Sequence, residues 1–158
     1  MQRIAVRLFV GIAITAIGMF GADNSLGTWK RNVAKSKTTP TTTNPLKSSS
    51  MIREASGDSV RVTNNGVRED GSAANWSYSA KYDGKEYPVT GNAPFDTVSM
   101  KRIDANTFTT VVSKKGGKYH TTGRVVISKD GKTYTLTTKG TNADGKPLTQ
   151  TIVYEKQQ

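Results

Sequence analysis

The sequence predicts an all-β chain folded as an antiparallel up-and-down barrel of about ten strands, with about eight as the alternative count. Three observations predict it. Turn chemistry recurs along the chain: Asp-Gly occurs at Asp70-Gly71, Asp83-Gly84, Asp130-Gly131 and Asp144-Gly145, and Asn65-Gly66 and Gly116-Gly117 are two further candidates. Glycine supplies the positive φ of tight hairpin turns, and Asp or Asn before it bonds back to the local backbone. Between these pairs lie short β-prone runs. In the clearest one, Trp76, Tyr78, Ala80 and Tyr82 share one face while Asn75, Ser77, Ser79 and Lys81 share the other, the period-two pattern of a half-buried strand. Finally, no segment after residue 22 carries a helical period. Closing a row of hairpins into a barrel removes the exposed edges that so many strands would otherwise present.

Taken in order, residues 1–22 read as an export leader, with an uncleaved N-terminal anchor as the alternative. Arg3 and Arg7 give a positive start, and residues 8–20 form a largely apolar run of 13, long enough for a signal core and short for a membrane span. Polar Asp23-Asn24-Ser25 follows at once, which places the mature start near Asp23. With no cysteine there is no site for lipoprotein acylation, no disulfide and no thiolate metal site. The expectation is an exported chain, periplasmic or secreted, with one domain over residues 23–158 and no span in its mature part.

Residues 26–32 are the first strand. Residues 35–50, rich in Ser, Thr, Lys and Pro, read as an extended surface connection, with a lid over the barrel mouth as the alternative; Pro40 and Pro45 argue against helix. Strands follow over 51–55 and 59–63, then a polar turn region over 64–72, then strands over 75–82 and 85–89. Pro88 fits only an edge or a strand end. Residues 97–104, 107–114, 118–128, 132–140 and 147–156 complete the set. Asp-Gly-Lys opens a strand at Asp83, Asp130 and Asp144 without a fixed period, so it marks repeated hairpin chemistry and not a solenoid.

Charge and composition narrow the function. The chain carries 23 basic and 12 acidic residues, net +11, and loses only two arginines with the leader. The positive residues are spread from Lys30 to Lys156, and only Lys114, Lys115 and Lys118 cluster, around Gly116-Gly117. With no basic stripe interleaved with aromatics, specific nucleic-acid binding is not indicated; an anionic envelope component or a protein is the partner class that such charge would attract. There is no Cys, no Gly-x-Ser-x-Gly elbow and a single histidine, His120, which leaves little for nucleophilic catalysis or for zinc. The turn geometry already accounts for Asp70, Asp83, Asp130 and Asp144, so a carboxylate pair for glycoside hydrolysis has little support. The expectation is a monomer that is not an enzyme and holds no cofactor or metal.

Ligand binding survives this elimination. A barrel of this size is either filled by side chains or holds one small molecule. The chain is rich in Thr and has six Tyr and two Trp, so its interior would suit an amphipathic or hydrophobic ligand with an aromatic or polar part. Trp76, Tyr78, Tyr82, Tyr87, Met100, Phe108 and Tyr134 are the expected contacts, with Tyr154 also pointing inward. Arg102 shares a face with Val98 and Met100, and an inward arginine needs an acidic partner or an anionic ligand. The alternative is a packed barrel that acts as an interaction or inhibitor-like module through its basic exterior.

Gly27-Thr28-Trp29, at the start of the first strand, resembles the lipocalin and wider calycin signature. The stretch from Gly27 to Ser36 is also similar to the opening of an uncharacterised family of secreted bacterial proteins. That likeness extends through Tyr82-Asp83-Gly84-Lys85, Pro88-Val89-Thr90-Gly91, Lys101-Arg102-Ile103-Asp104 and the stretch from Ser128 to Lys132. The calycin resemblance implies a lipocalin-like barrel in which Trp29 closes the floor and a basic side chain from a late strand packs on it; Arg124 is the candidate. Lipocalins usually carry a helix after the barrel, and the fatty-acid-binding relatives insert two helices after the first strand. This chain instead ends in a strand and has a Pro/Thr segment there. The resemblance implies a binding fold and no particular activity.

Overall fold

A computed structural model describes residues 23–158; the expected leader lies outside the described residues. The described chain is strands and turns throughout. In order these are β1 (Gly27–Arg31), β2 (Lys37–Thr39), β3 (Leu46–Ser56), β4 (Ser59–Arg68), β5 (Trp76–Ala80), β6 (Asp83–Gly91), β7 (Thr97–Asp104), β8 (Thr107–Ser113), β9 (His120–Ile127), β10 (Thr133–Thr141) and β11 (Pro147–Lys156).

From β3 to β11 each strand pairs antiparallel with the next. β1 then closes the ring, pairing with β3 from Gly27–Arg53 to Lys30–Ser50 and with β11 from Trp29–Lys156 to Arg31–Tyr154. The result is a closed ten-stranded barrel plus one extra strand, as the turn spacing and strand count predict. The extra strand is β2, which lies along β11 beyond β1 from Lys37–Thr151 to Thr39–Thr149. Between β1 and β2 the backbone loops out, and Ser36 Oγ accepts from the Val153 amide that faces the gap.

The turns follow their chemistry. Gly71, Gly84, Gly131 and Gly145, the second residues of the four Asp-Gly pairs, all have φ between +71° and +83°, and Gly116 is at +70°. Asn65-Gly66 is the exception. The expected polar turn over 64–72 is strand as far as Arg68, and Gly66 sits inside β4. A Cβ there would meet Leu46 and Ser48 of β3 at 3.1 and 3.2 Å, so its glycine serves strand packing and not a hairpin. Likewise the 35–50 connection contains β2 and the first half of β3. Pro88 lies just past the last β5–β6 pair, Tyr78–Val89, where a missing N–H costs no ladder bond.

Alternation sorts the side chains. In β9, Thr121, Gly123, Val125 and Ile127 are buried while His120, Thr122, Arg124 and Val126 are exposed. The apolar core is concentrated at one end of the barrel, around Trp29, Met51, Val62, Met100, Phe108 and Tyr134. At the other end the loops after β2, β6 and β10 surround an open interior.

Candidate ligand-binding cavity

The closed end is built around Trp29. Alternation in β1 turns it inward between Thr28 and Lys30, and it is fully buried. Its indole Nε1 donates to the Ser25 carbonyl at 2.9 Å, which satisfies the one polar atom that burial would otherwise strand. Its ring lies 5.5 Å from that of Tyr134, and the Lys156 ammonium sits 5.1 Å from its centroid. The basic residue on the floor tryptophan is therefore Lys156, from the last strand. Arg124 corrects the sequence expectation: it occupies an exposed position of β9, because its parity along the strand is opposite to that of Val125.

Below Trp29 two arginines cross the barrel. Arg53 of β3, 1% exposed, donates through Nε to Ser25 Oγ at 3.3 Å and through Nη2 to the Tyr82 hydroxyl at 2.9 Å. Its guanidinium lies 5.0 Å from the Phe108 ring centroid and 5.8 Å from that of Tyr134. Arg102 of β7 donates to Asp23 at 2.6 Å and stacks 3.8 Å over Tyr82. The acidic partner that an inward Arg102 requires is thus Asp23, at the expected mature start. Burial pushes the Asp23 carboxyl up, but hydrogen bonds from Arg102 and Ser25 outweigh it and hold the group below the usual carboxylate range. Burial also opposes the charge of Arg53, and the surrounding tyrosines and Asp23 more than restore it.

Above this floor is a cavity of about 900 Å³. Met51, Trp76, Tyr78, Val98, Val112, Tyr134, Leu136, Ile152 and Tyr154 supply apolar and aromatic wall, and Arg31, Asn64, Thr110, Thr121, Thr138 and Gln150 supply polar groups. Trp76 and Tyr78, two residues apart on β5, stack with rings 5.9 Å apart and 3° from parallel. Phe95 meets Trp76 edge-on at 5.8 Å and lies 6.0 Å from Tyr119, which gives the mouth an aromatic rim. Residues 40–46 also line the mouth, so the Pro/Thr segment is both a surface connection and part of the entrance.

The predicted contacts divide accordingly. Trp76, Tyr78 and Tyr134 line the cavity. Met100, Phe108, Tyr82 and Arg102 belong to the packed floor beneath it; Met100 takes a 3.8 Å contact from the Tyr78 hydroxyl to its sulfur. Tyr87 packs against the core from β6 and donates to Asp83 at 2.8 Å, away from the cavity. His120 is exposed, its Nδ1 2.8 Å from Ser113 Oγ, outside the cavity wall.

Sequence reasoning missed Arg31 and Arg53 inside the barrel and Phe95 and Tyr119 at its rim. The first two carried a usable signal, because Arg31 shares parity with Trp29 and Arg53 with Met51, just as Arg102 does with Met100. Phe95 lies in a loop, where no period applies.

The chain matches no protein-family model and no curated protein significantly. Among solved structures it is similar to the S-type phycobiliprotein lyase CPES from Guillardia theta, with 10% identity, TM-score 0.55, and coverage of 86% of this chain and 90% of that one. The likeness is one of fold. Two further structures align with lower TM-scores: EF1p2_mFAP2b bound to DFHBI, with TM-score 0.46, 10% identity and coverage of 85% and 94%, and the redesigned β-barrel mFAP1 bound to DFHBI, with TM-score 0.40, 14% identity and coverage of 82% and 94%. The likeness of the Gly27–Ser36 stretch to a secreted bacterial family has no support from these comparisons.

Proposed function

We propose that this protein binds a small amphipathic molecule non-covalently in its barrel cavity, after export directed by residues 1–22. One observation carries the reading: above a packed floor the barrel is not filled, and the space of about 900 Å³ has aromatic and aliphatic walls interrupted by a few converging polar groups. That combination of volume and lining is what small-molecule sites have in common. The stacked Trp76–Tyr78 pair offers flat apolar surface near the mouth, while Thr110, Thr121, Thr138, Asn64 and Gln150 can orient a polar part by hydrogen bonds. The floor is fixed by Trp29, Arg53 and the Asp23–Arg102 pair, so the cavity has a rigid base.

Native mass spectrometry of the protein purified without detergent tests this. A discrete added mass that disappears on denaturation is the expected result. A clean apo mass, with no uptake from a mixture of lipids and aromatic metabolites, overturns it. Salt-sensitive capture by an acidic polymer would then favour the basic exterior as the working surface.

A further inference from the structure

Three arginines point into this barrel, and two have partners. Arg102 has Asp23, and Arg53 has Ser25, Tyr82 and the aromatic faces around it. Arg31 is different. Arg53 also leaves one buried nitrogen, Nη1, unpaired, but its Nε and Nη2 are bonded and it lies below the cavity lining, whereas Arg31 lies on the cavity wall, its Nε is buried without a hydrogen-bond partner, and it enters none of the four ion pairs among the described residues, which are Lys35–Glu155, Lys81–Asp58, Arg102–Asp23 and Lys114–Asp96. Its place in the fold explains this. The β1–β3 ladder ends at Lys30–Ser50, so at Arg31 the two strands separate, and its cross-strand neighbour on the other side is Tyr154. Burial lowers the affinity of its guanidinium for its proton, with Tyr154 opposing.

A partly buried cation with an enclosed, unused donor is favoured by an anion placed against it. The cavity itself supplies no such anion at depth. Its other charged lining residues are Lys37, Arg68, Lys146 and Asp144, at the mouth, and three of these four are basic. The field along the entrance therefore favours a negative ligand.

We propose that Arg31 is the anion-binding residue of the cavity, and that the ligand carries one carboxylate, sulfonate or phosphate group on an apolar or aromatic body. This rests on the cavity being a binding site. The planar fork of the guanidinium matches the paired oxygens of such a group. The anion then sits where β1 and β3 part, and the body lies across Tyr134, Leu136 and Ile152 toward Tyr78.

Two fluorescent probes with nearly the same ring skeleton separate the possibilities: anilinonaphthalene sulfonate and uncharged N-phenylnaphthylamine. Binding is measured at about 0.15 M salt to screen the exterior. The sulfonate should bind the wild type about tenfold or more tightly than the neutral probe, as a charge-assisted hydrogen bond to a partly buried group would give. Arg31→Gln should abolish that preference while leaving the neutral probe's affinity within about twofold, which also reports that the cavity is intact. Arg31→Lys should retain part of it. Competition by dodecanoate and by dodecyl phosphate, with dodecanol as the uncharged control, then shows which headgroup is preferred. If Arg31→Gln keeps the sulfonate preference, or if the wild type binds both probes equally, the Arg31 assignment falls and the cavity reading stands. If the wild type takes up neither probe, the cavity reading falls and this assignment falls with it.

Discussion

The Arg102 guanidinium holds the Asp23 carboxylate at 2.6 Å while sitting 3.8 Å over the ring of Tyr82, whose hydroxyl donates to the same carboxylate oxygen at 3.1 Å. One strand of the barrel is thereby tied to the start of the described chain, 79 residues away. Arg53 and Ser25 complete the network, so the apolar floor of the barrel encloses a polar cluster set among its aromatic rings.

This pair sets an acid limit. The folded-state pKa of Asp23 is depressed, so its contribution is complete above its unfolded value and is lost as pH falls through the folded one. Wild-type stability should drop on acidification below about pH 4. Asp23→Asn should cost about 1–3 kcal/mol at neutral pH and show a flatter acid limb. Urea titrations at a series of pH values measure both, and parallel acid limbs would show that Asp23 is not the group responsible.

Arg53 is enclosed by Phe108, Tyr134 and Tyr82, so its side chain also fills space. Arg53→Ala should destabilise by about 3–5 kcal/mol by opening a void in the floor. Arg53→Met, which keeps most of the volume and removes the buried charge, should cost much less. Equilibrium denaturation of both variants separates filling from charge.

Two glycines are required by strand contact, and one of them, Gly91, also by a φ of +100°. A Cβ on Gly140 would lie 2.0 Å from the His120 carbonyl oxygen, and one on Gly91 would lie 2.2 Å from that of Asn75. Alanine at either site must displace a neighbouring backbone, at a cost of about 2–3 kcal/mol. At Gly57 nothing lies within 4 Å and only a φ of +60° opposes alanine, so about 1–2 kcal/mol is expected. Thermal melts of the three variants should show this order.

The two tryptophans report on different ends of the barrel. Trp29 is 0% exposed, whereas Trp76 is half-buried on the cavity wall. Acrylamide should quench Trp76 and spare Trp29, and Trp76→Phe should remove nearly all quenchable emission. A bound ligand should protect the same component. Quenching that persists in Trp76→Phe would mean that the floor opens to solvent.

Much of the architecture was legible because strand signals are local. Residues 97–104 and 147–156 are strands with the bounds that alternation and turn residues predict, and the four Asp-Gly pairs carry the positive φ that their chemistry allows. Errors arose where the local signal was ambiguous. Asn65-Gly66 has turn composition but serves close packing inside β4, and the Pro/Thr segment hides β2, which holds its place by pairing with β11 and not by propensity. Trp29 is buried at the closed end, and the cation near its ring is Lys156 of the last strand while Arg124 faces outward.

By itself the sequence determined the β class, the positions of most turns and strands, and the inward face of β5, since these depend on side-chain period and on residues a few places apart. Only the tertiary structure decided which arginines are inside, that Asp23 answers Arg102 while Arg31 is left unanswered, and that a space remains above the floor. A charged residue on the inward face of a strand looks in sequence like an interruption of the pattern. Its cost or use depends on which groups from distant strands the closed barrel brings within a few ångströms of it, and closure is a property of the whole ring.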